Sequence, residues 1–330
     1  SADPLWDTEE GYLKLHNDLG VMPYYYYPKF WICEPEYDSD VIFKKEQKNN
    51  DTITTINTPL GTICQVETYL PSSVSVGCTR HFIQSEKDLD IFAYIIEHRK
   101  LRQSNLSDYK ERMQLWEKYD GYPSLALPRS PLASFVYEWA GIENATFMLI
   151  DYEEKVNNIL KKMREQEEMV LDALCELAPP LVHFPDNLTS DNFAGLYDRY
   201  MADDHKRRIK KLHSADIKTV VHLDGTIKGL LPKLVESGFD AVEALTPSPV
   251  GDVSVNEIKQ LAGDGNVILW GGVPGAMFAY PYDWQQMKKH IDNVLQSWAG
   301  QSFVLGVADQ VPPDGDISFC KKIAELLLIQ

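Results

Sequence analysis

From about residue 122 onward the chain alternates short apolar runs with longer amphipathic stretches. The runs fall at 124–127, 146–150, 181–184, 219–223, 241–245, 267–270 and 303–307. Residues with helical spacing fill the gaps at 153–177, 191–213, 226–237, 254–262, 283–298 and 316–328. A strand covered on both faces reads as a continuous apolar run, and strands alternating with helices mean βαβ units and a parallel sheet. The first part of the chain reads differently. Extended stretches near 41–45, 52–57 and 61–68, separated by Asn49-Asn50-Asp51 and Pro59-Leu60-Gly61, predict a small antiparallel meander. A polar, helix-forming stretch follows at 86–118. The organisation expected is an N-terminal extension, 1–120, packed on a (β/α) core, 121–330, as one structural domain.

Two α/β architectures suit such a rhythm, a doubly wound sheet and a (β/α)8 TIM barrel. A doubly wound nucleotide-binding sheet carries a Gly-rich phosphate turn after its first strand. The chain has neither G-x-G-x-x-G nor a P-loop, and Gly271-Gly272 is a lone pair of glycines. The barrel is therefore favoured.

Composition removes several classes of function. Hydrophobic residues are 44% and charged residues 25%, as in an ordinary globular chain. A net charge of −17 argues against nucleic acid and anionic membrane as partners, since both reward clustered Lys and Arg. Cys33, Cys64, Cys78, Cys175 and Cys320 form no C-x-x-C pair, which points to a reducing cytoplasm rather than a disulfide scaffold. No apolar run approaches the ~18 residues of a membrane span, and no signal peptide opens the chain.

In a barrel the site is made where strands end and βα loops begin. The run at 219–223 continues into Asp224, and His222 and Asp224, two apart, project to one side of an extended strand. Glu243 lies inside the otherwise apolar run 241–245, and the last run ends in Ala308-Asp309-Gln310. Converging, these side chains suit a divalent cation with N and O ligands or a carboxylate–histidine proton relay. The plainer alternative is that Asp224, Asp309 or Asp314 caps a helix. Asp186 and Asn187 follow another run and either face a ligand or form an Asx turn. Arg129 is a candidate for holding a substrate carboxylate, or a solvated loop residue. Tyr24, Tyr25, Tyr26, Tyr27 and Trp31 either wall the pocket mouth or pack on the barrel.

Three blocks carry a resemblance: His222-Leu223-Asp224-Gly225-Thr226, Gly238-Phe239-Asp240-Ala241-Val242-Glu243 and Leu269-Trp270-Gly271-Gly272. Together they resemble the uroporphyrinogen decarboxylase superfamily, which also contains cobalamin-dependent methyltransferases. The similarity runs from Thr58-Pro59-Leu60-Gly61-Thr62 to Val311-Pro312-Pro313-Asp314. It implies a (β/α)8 barrel with its site at the C-terminal mouth, with Gly271 and Gly272 beside the substrate. True decarboxylases of this family carry an early Arg-rich segment for tetrapyrrole carboxylates, and this chain has none. The methyltransferase branch holds zinc by H-x-C and a later Cys. Here His222 matches the His, while Asp224 and Asp309 stand at the cysteine positions. The resemblance thus implies a harder site for Zn, Mn or Fe(II), built from His222, Asp224 and Asp309, with Glu243 as a further ligand or as orienter of His222. The corrinoid motif D-x-H-x-x-G is not formed, because Asp203-Asp204-His205 is followed by Arg208. Any corrinoid must arrive on a separate protein.

The function expected is a cytoplasmic corrinoid-dependent methyltransferase or demethylase component acting on a small molecule. One alternative is a decarboxylase of a tetrapyrrole or other small carboxylic acid. A second is a non-catalytic ligand-binding barrel.

Overall fold

A computed structural model describes residues 8–263 and 266–328. The chain divides into two compact units.

One unit holds residues 33–103 and 128–172. Strands β1 (Cys33–Tyr37), β2 (Ile42–Lys48), β3 (Asp51–Thr58), β4 (Gly61–Leu70) and β5 (Ser75–Arg80) open it. β2, β3, β4 and β5 form an antiparallel sheet in chain order, the meander expected with one strand more. Asn49, at φ 54°, takes the left-handed conformation that the tight β2–β3 turn requires. The stretch expected to be helical over 86–118 is interrupted. Helix Glu86–Glu97 gives way to β6 (Arg99–Gln103), which pairs antiparallel with β1. Only Leu101 of β6 is buried, so a strand satisfies its one apolar side chain while the charged neighbours stay in water. The run 146–150 is a correction: it lies in helix Ile142–Asp151, not in a strand. Ala145, Met148 and Leu149 are its buried residues, at helical spacing, and a five-residue apolar run does not by itself separate strand from helix.

The other unit holds residues 1–32, 104–127 and 173–330. Its strands are β7 (Leu125–Ala126), β8 (Leu181–Leu188), β9 (Lys218–Leu223), β10 (Ala241–Leu245), β11 (Ile268–Pro274) and β12 (Phe303–Ala308). They form one parallel sheet in strictly sequential order, β7 to β12. A doubly wound sheet reverses its order at a switch point; this one never does. Parallel strands in unbroken chain order, joined through helices, are the arrangement that (β/α) barrel folds use. The eight strands expected are not all present: the described residues give six, and no ladder joins β12 to β7. Instead the free flank of β7 is lengthened by the N-terminal segment. Ala126 N–H donates to Phe30 O at 2.7 Å, Ile32 N–H donates to Ala126 O at 3.1 Å, and Trp31 bridges Ala126.

Local signals start and stop the helices that hold this sheet. Ser254 with Glu257, and Asp283 with Gln286, form capping boxes before Val255–Ala262 and Trp284–Ser297. Gly238 ends Leu231–Ser237 in the left-handed conformation. All five cysteines are free thiols. No helix among the described residues is long and apolar enough to cross a membrane.

Candidate active site

Side chains alternate across a strand, so two positions sharing parity share a face. Leu181, Val220, Ala241 and Ile268 pack together on the inner face with Trp270 and Val304. By the same parity His183, His222 and Glu243 face inward. β9 and β10 pair with Glu243 directly beside His222, and their side chains meet through Glu243 Oε2 and His222 Nδ1. A third partner comes from the N-terminal segment: Tyr24 donates its hydroxyl to Glu243 Oε1 at 2.9 Å. The Tyr24 ring also stacks on His183 (5.5 Å, 22°) and leans on Trp270 (4.6 Å). The carboxylate is thus held on both oxygens. The His222 side chain is 16% exposed and that of Glu243 3%.

Electrostatics follow from that packing. Burial alone would lower the His222 imidazolium, but the charge and hydrogen bond of Glu243, with the charges of Asp309 and Asp224, outweigh it and raise the pKa. Burial alone would raise the Glu243 carboxyl; the charge and hydrogen bond of His222, the charge of His183 and the Tyr24 hydroxyl hold it below the usual range. Both shifts favour the imidazolium–carboxylate form of the pair. His183 is the opposite case. It is fully enclosed, its Nε2 has no hydrogen-bond partner among the described residues, and burial drops its pKa to about 4. Burial also raises the Asp309 carboxyl, aided by Asp224 and Glu243 against the pull of His222.

A cavity of about 370 Å³ lies beside β12, lined by Tyr12, Tyr24, Tyr25, Trp270 and Asp309 among apolar side chains. That volume is in the range of small-molecule sites. Tyr24 thus touches both the cavity and Glu243. At the strand ends the backbone is strained: Asn187 (φ 51°), Ala244 (φ 63°) and Asp309 (φ 68°) are all left-handed without being glycine.

Asp224 and Asp309 are both exposed, and neither caps a helix: the helices that follow them start at Leu231 and Ser318, with Leu230 and Ile317 at their N-caps. Both act on His222 through their charge. Among the described residues no three His, Cys, Asp or Glu side chains are placed to hold one metal ion. The Nδ1 of His222 is engaged by Glu243. The donor set as placed is a hydrogen-bonded pair with two outlying carboxylates, and it does not fit a three-ligand cation site. The residues nearest a corrinoid motif do not fit a corrinoid either. His205 is buried and bonded through Nε2 to Asp186 and through Nδ1 to Tyr197.

The remaining expected site residues go elsewhere. Asp186 is a correction: it faces the helix layer, wholly buried, 3.0 Å from His205. It shares parity with Phe184, which packs on His205 and Phe239, while His183 points inward. Asn187 is the left-handed residue that follows it in β8. Arg129 belongs to the other unit, where Glu138 holds it at 3.0 Å and Tyr137 lies under the guanidinium. Gly271 and Gly272 answer to packing. A Cβ on Gly271 would lie 2.7 Å from Leu245 N and O, and one on Gly272 would meet the Trp298 ring at 3.0 Å. Of the aromatic start, Tyr24 and Tyr25 line the cavity, Tyr26 packs on Tyr12, Tyr27 is 64% exposed, and Trp31 packs edge-on to Phe30 and Tyr27. The inward His183 was not singled out from sequence, although its parity with Leu181 in an apolar run was the signal.

A methyltransferase from Methanosarcina mazei has a similar structure, with a TM-score of 0.53 at 12% identity over 79% of this chain and 75% of that one. A D-psicose 3-epimerase from Clostridium cellulolyticum H10 matches at a TM-score of 0.40 and 11% identity, over 68% and 83% of the two chains, too distantly to argue from. No curated protein matches the sequence. The uroporphyrinogen decarboxylase (URO-D) family model matches residues 106–327, two thirds of the chain, which takes in β7 to β12, the His222–Glu243 pair and Asp309. The chain belongs to the uroporphyrinogen decarboxylase family.

Proposed function

We propose that this chain is a methyltransferase or demethylase component, passing a methyl group between a small molecule and a corrinoid cobalt carried by a separate protein. The observation that carries the reading is the charge of the cavity. Among the described residues its lining contains no Lys or Arg, and its one carboxylate is Asp309. A decarboxylase of a polycarboxylate needs cations to grip its substrate. This cavity repels carboxylates instead, which favours neutral or cationic substrates and sets the tetrapyrrole reading second.

The chain's own residues supply position and a proton. The methyl leaves without its bonding electrons, which stay on the substrate heteroatom. His222, Glu243 and Tyr24 form a continuous hydrogen-bonded path from the inner face to the cavity wall, and along it the heteroatom gains or loses its proton. Apolar walls exclude water from the reacting carbon.

The test is a paired assay on purified protein. Reduced free cobalamin with labelled methyl donors should yield methylcobalamin, while uroporphyrinogen should lose no CO₂. Release of CO₂ from a tetrapyrrole, with no methylated cobalamin from any donor, overturns the reading.

A further inference from the structure

The cavity beside β12 brings together three tyrosines, a tryptophan and one carboxylate, with no cationic side chain in its wall. Tyr24 and Trp270 touch at 4.6 Å between ring centres, and Tyr24 meets Tyr25 nearly edge-on at 4.9 Å. Tyr12 closes the set from helix Glu9–Leu19, with the His16 ring 4.1 Å away. His16 stays neutral, because burial lowers its pKa against a hydrogen bond from Nδ1 to the Tyr12 carbonyl. The wall therefore sets four aromatic rings among aliphatic side chains, with negative charge but no positive charge of its own among the described residues.

Asp309 supplies that charge. It makes no hydrogen bond or ion pair among the described residues, and its backbone is held left-handed at φ 68°. Its carboxylate is near enough to Tyr25 to help hold that phenol protonated. Electron-rich ring faces attract a positive charge spread over methyl groups, which cannot form hydrogen bonds and lose little on leaving water. A metal ion would instead demand several charged oxygen donors, and among the described residues this wall offers one carboxylate beside neutral phenol and amide oxygens.

We infer that this cavity binds a methylated ammonium cation, with Tyr12, Tyr24, Tyr25 and Trp270 as its aromatic wall and Asp309 as its counter-charge. As the identity of the methyl donor, this rests on the methyl-transfer reading above; as a binding site, it stands on the cavity alone. The step balances. A corrinoid on a separate protein would supply the electron pair that accepts the methyl, which would leave nitrogen without its bonding pair. The C–N pair remains on nitrogen, so the amine leaves neutral and then takes a proton from the Tyr24–Glu243–His222 path, which solvent restores.

The experiment is calorimetric titration of the whole chain with choline and with 3,3-dimethylbutan-1-ol, the same shape without the charge. Choline should bind at least about tenfold more tightly than the neutral isostere, a difference of about 1.4 kcal/mol. Asp309→Asn, which tolerates the left-handed backbone as well as Asp does, should erase most of that preference. Tyr25→Leu should weaken choline by a similar factor while leaving the isostere nearly unchanged. Equal binding of the two ligands, or no heat from choline at about 10 mM with a native melting curve, overturns the inference. Selective choline binding without any methyl transfer to reduced cobalamin upholds the site and overturns the methyl-transfer reading.

Discussion

Glu243 and His222 stand in register on adjacent parallel strands, with Glu243 Oε2 on His222 Nδ1 and Tyr24 closing the other carboxylate oxygen. Neither residue is free to titrate alone. Removing the carboxylate charge with Glu243→Gln should lower turnover by about 10²- to 10⁴-fold, the usual worth of a placed acid–base group. The pH–rate profile separates this from misfolding. In the parent, Glu243 sets an acid limb below the usual carboxylate range and His222 an alkaline limb above 6.5. In the variant the alkaline limb should move down, because burial is then opposed only by Asp309 and Asp224. An unmoved limb would remove His222 from the chemistry.

Tyr24→Phe keeps the ring and deletes one hydrogen bond to a buried carboxylate. The expected loss is about 1.5–3 kcal/mol in urea unfolding. Since that hydroxyl helps hold Glu243 low, the acid limb of the rate profile should shift upward.

The same pair makes stability depend on pH. A raised His222 contributes stability that is complete below pH 6.5 and is lost as pH climbs through its folded pKa. A depressed Glu243 contributes stability that is complete above pH 4.5 and is lost as pH falls through its folded value. His183 works against folding in acid. Between pH 6.5 and about 4 the unfolded chain binds a proton that the folded one refuses. At 1.36 kcal/mol per unit this is a loss of about 3 kcal/mol by the bottom of that window. His183→Phe should abolish that part of the loss, read as a smaller drop in urea midpoint between pH 7 and pH 4.5. Equal drops in both proteins would contradict the assignment.

Asp186 separates structure from chemistry. Asp186→Asn breaks a fully buried pair with His205 and should destabilise by about 3–5 kcal/mol. The kcat/KM per folded molecule should stay within about twofold of the parent, because the residue faces the helix layer. A selective loss of kcat at unchanged stability would return Asp186 to the site.

Gly271→Ala is the backbone test. A methyl group there would press on the Leu245 amide and carbonyl at 2.7 Å, at φ 135°. Backbone cannot rotate away as a side chain can, so the soluble yield should collapse, or the melting temperature should fall by about 10 °C or more.

The parallel α/β pattern was legible because buried strands are apolar on both faces. The run 146–150 was misread for the same reason: five apolar residues fit either element, and only its buried spacing, seen in Ala145, Met148 and Leu149, decides. His222 and Glu243 could be picked from sequence because polar groups stand out in apolar strands. Asp186 misled because the strand irregularity between Phe184 and Leu188 hides which face a polar residue takes. Tyr24 was one of four adjacent tyrosines, and nothing local says which of them reaches Glu243. That contact spans 219 positions, beyond any reading of local pattern.

Tyr24 also gives the N-terminal segment an unexpected authority. Its carbonyl accepts from Ser124 N–H at 3.0 Å, next to the bridge by which Trp31 lengthens β7. The peptide that tethers the phenol is thus also the sheet's last rung.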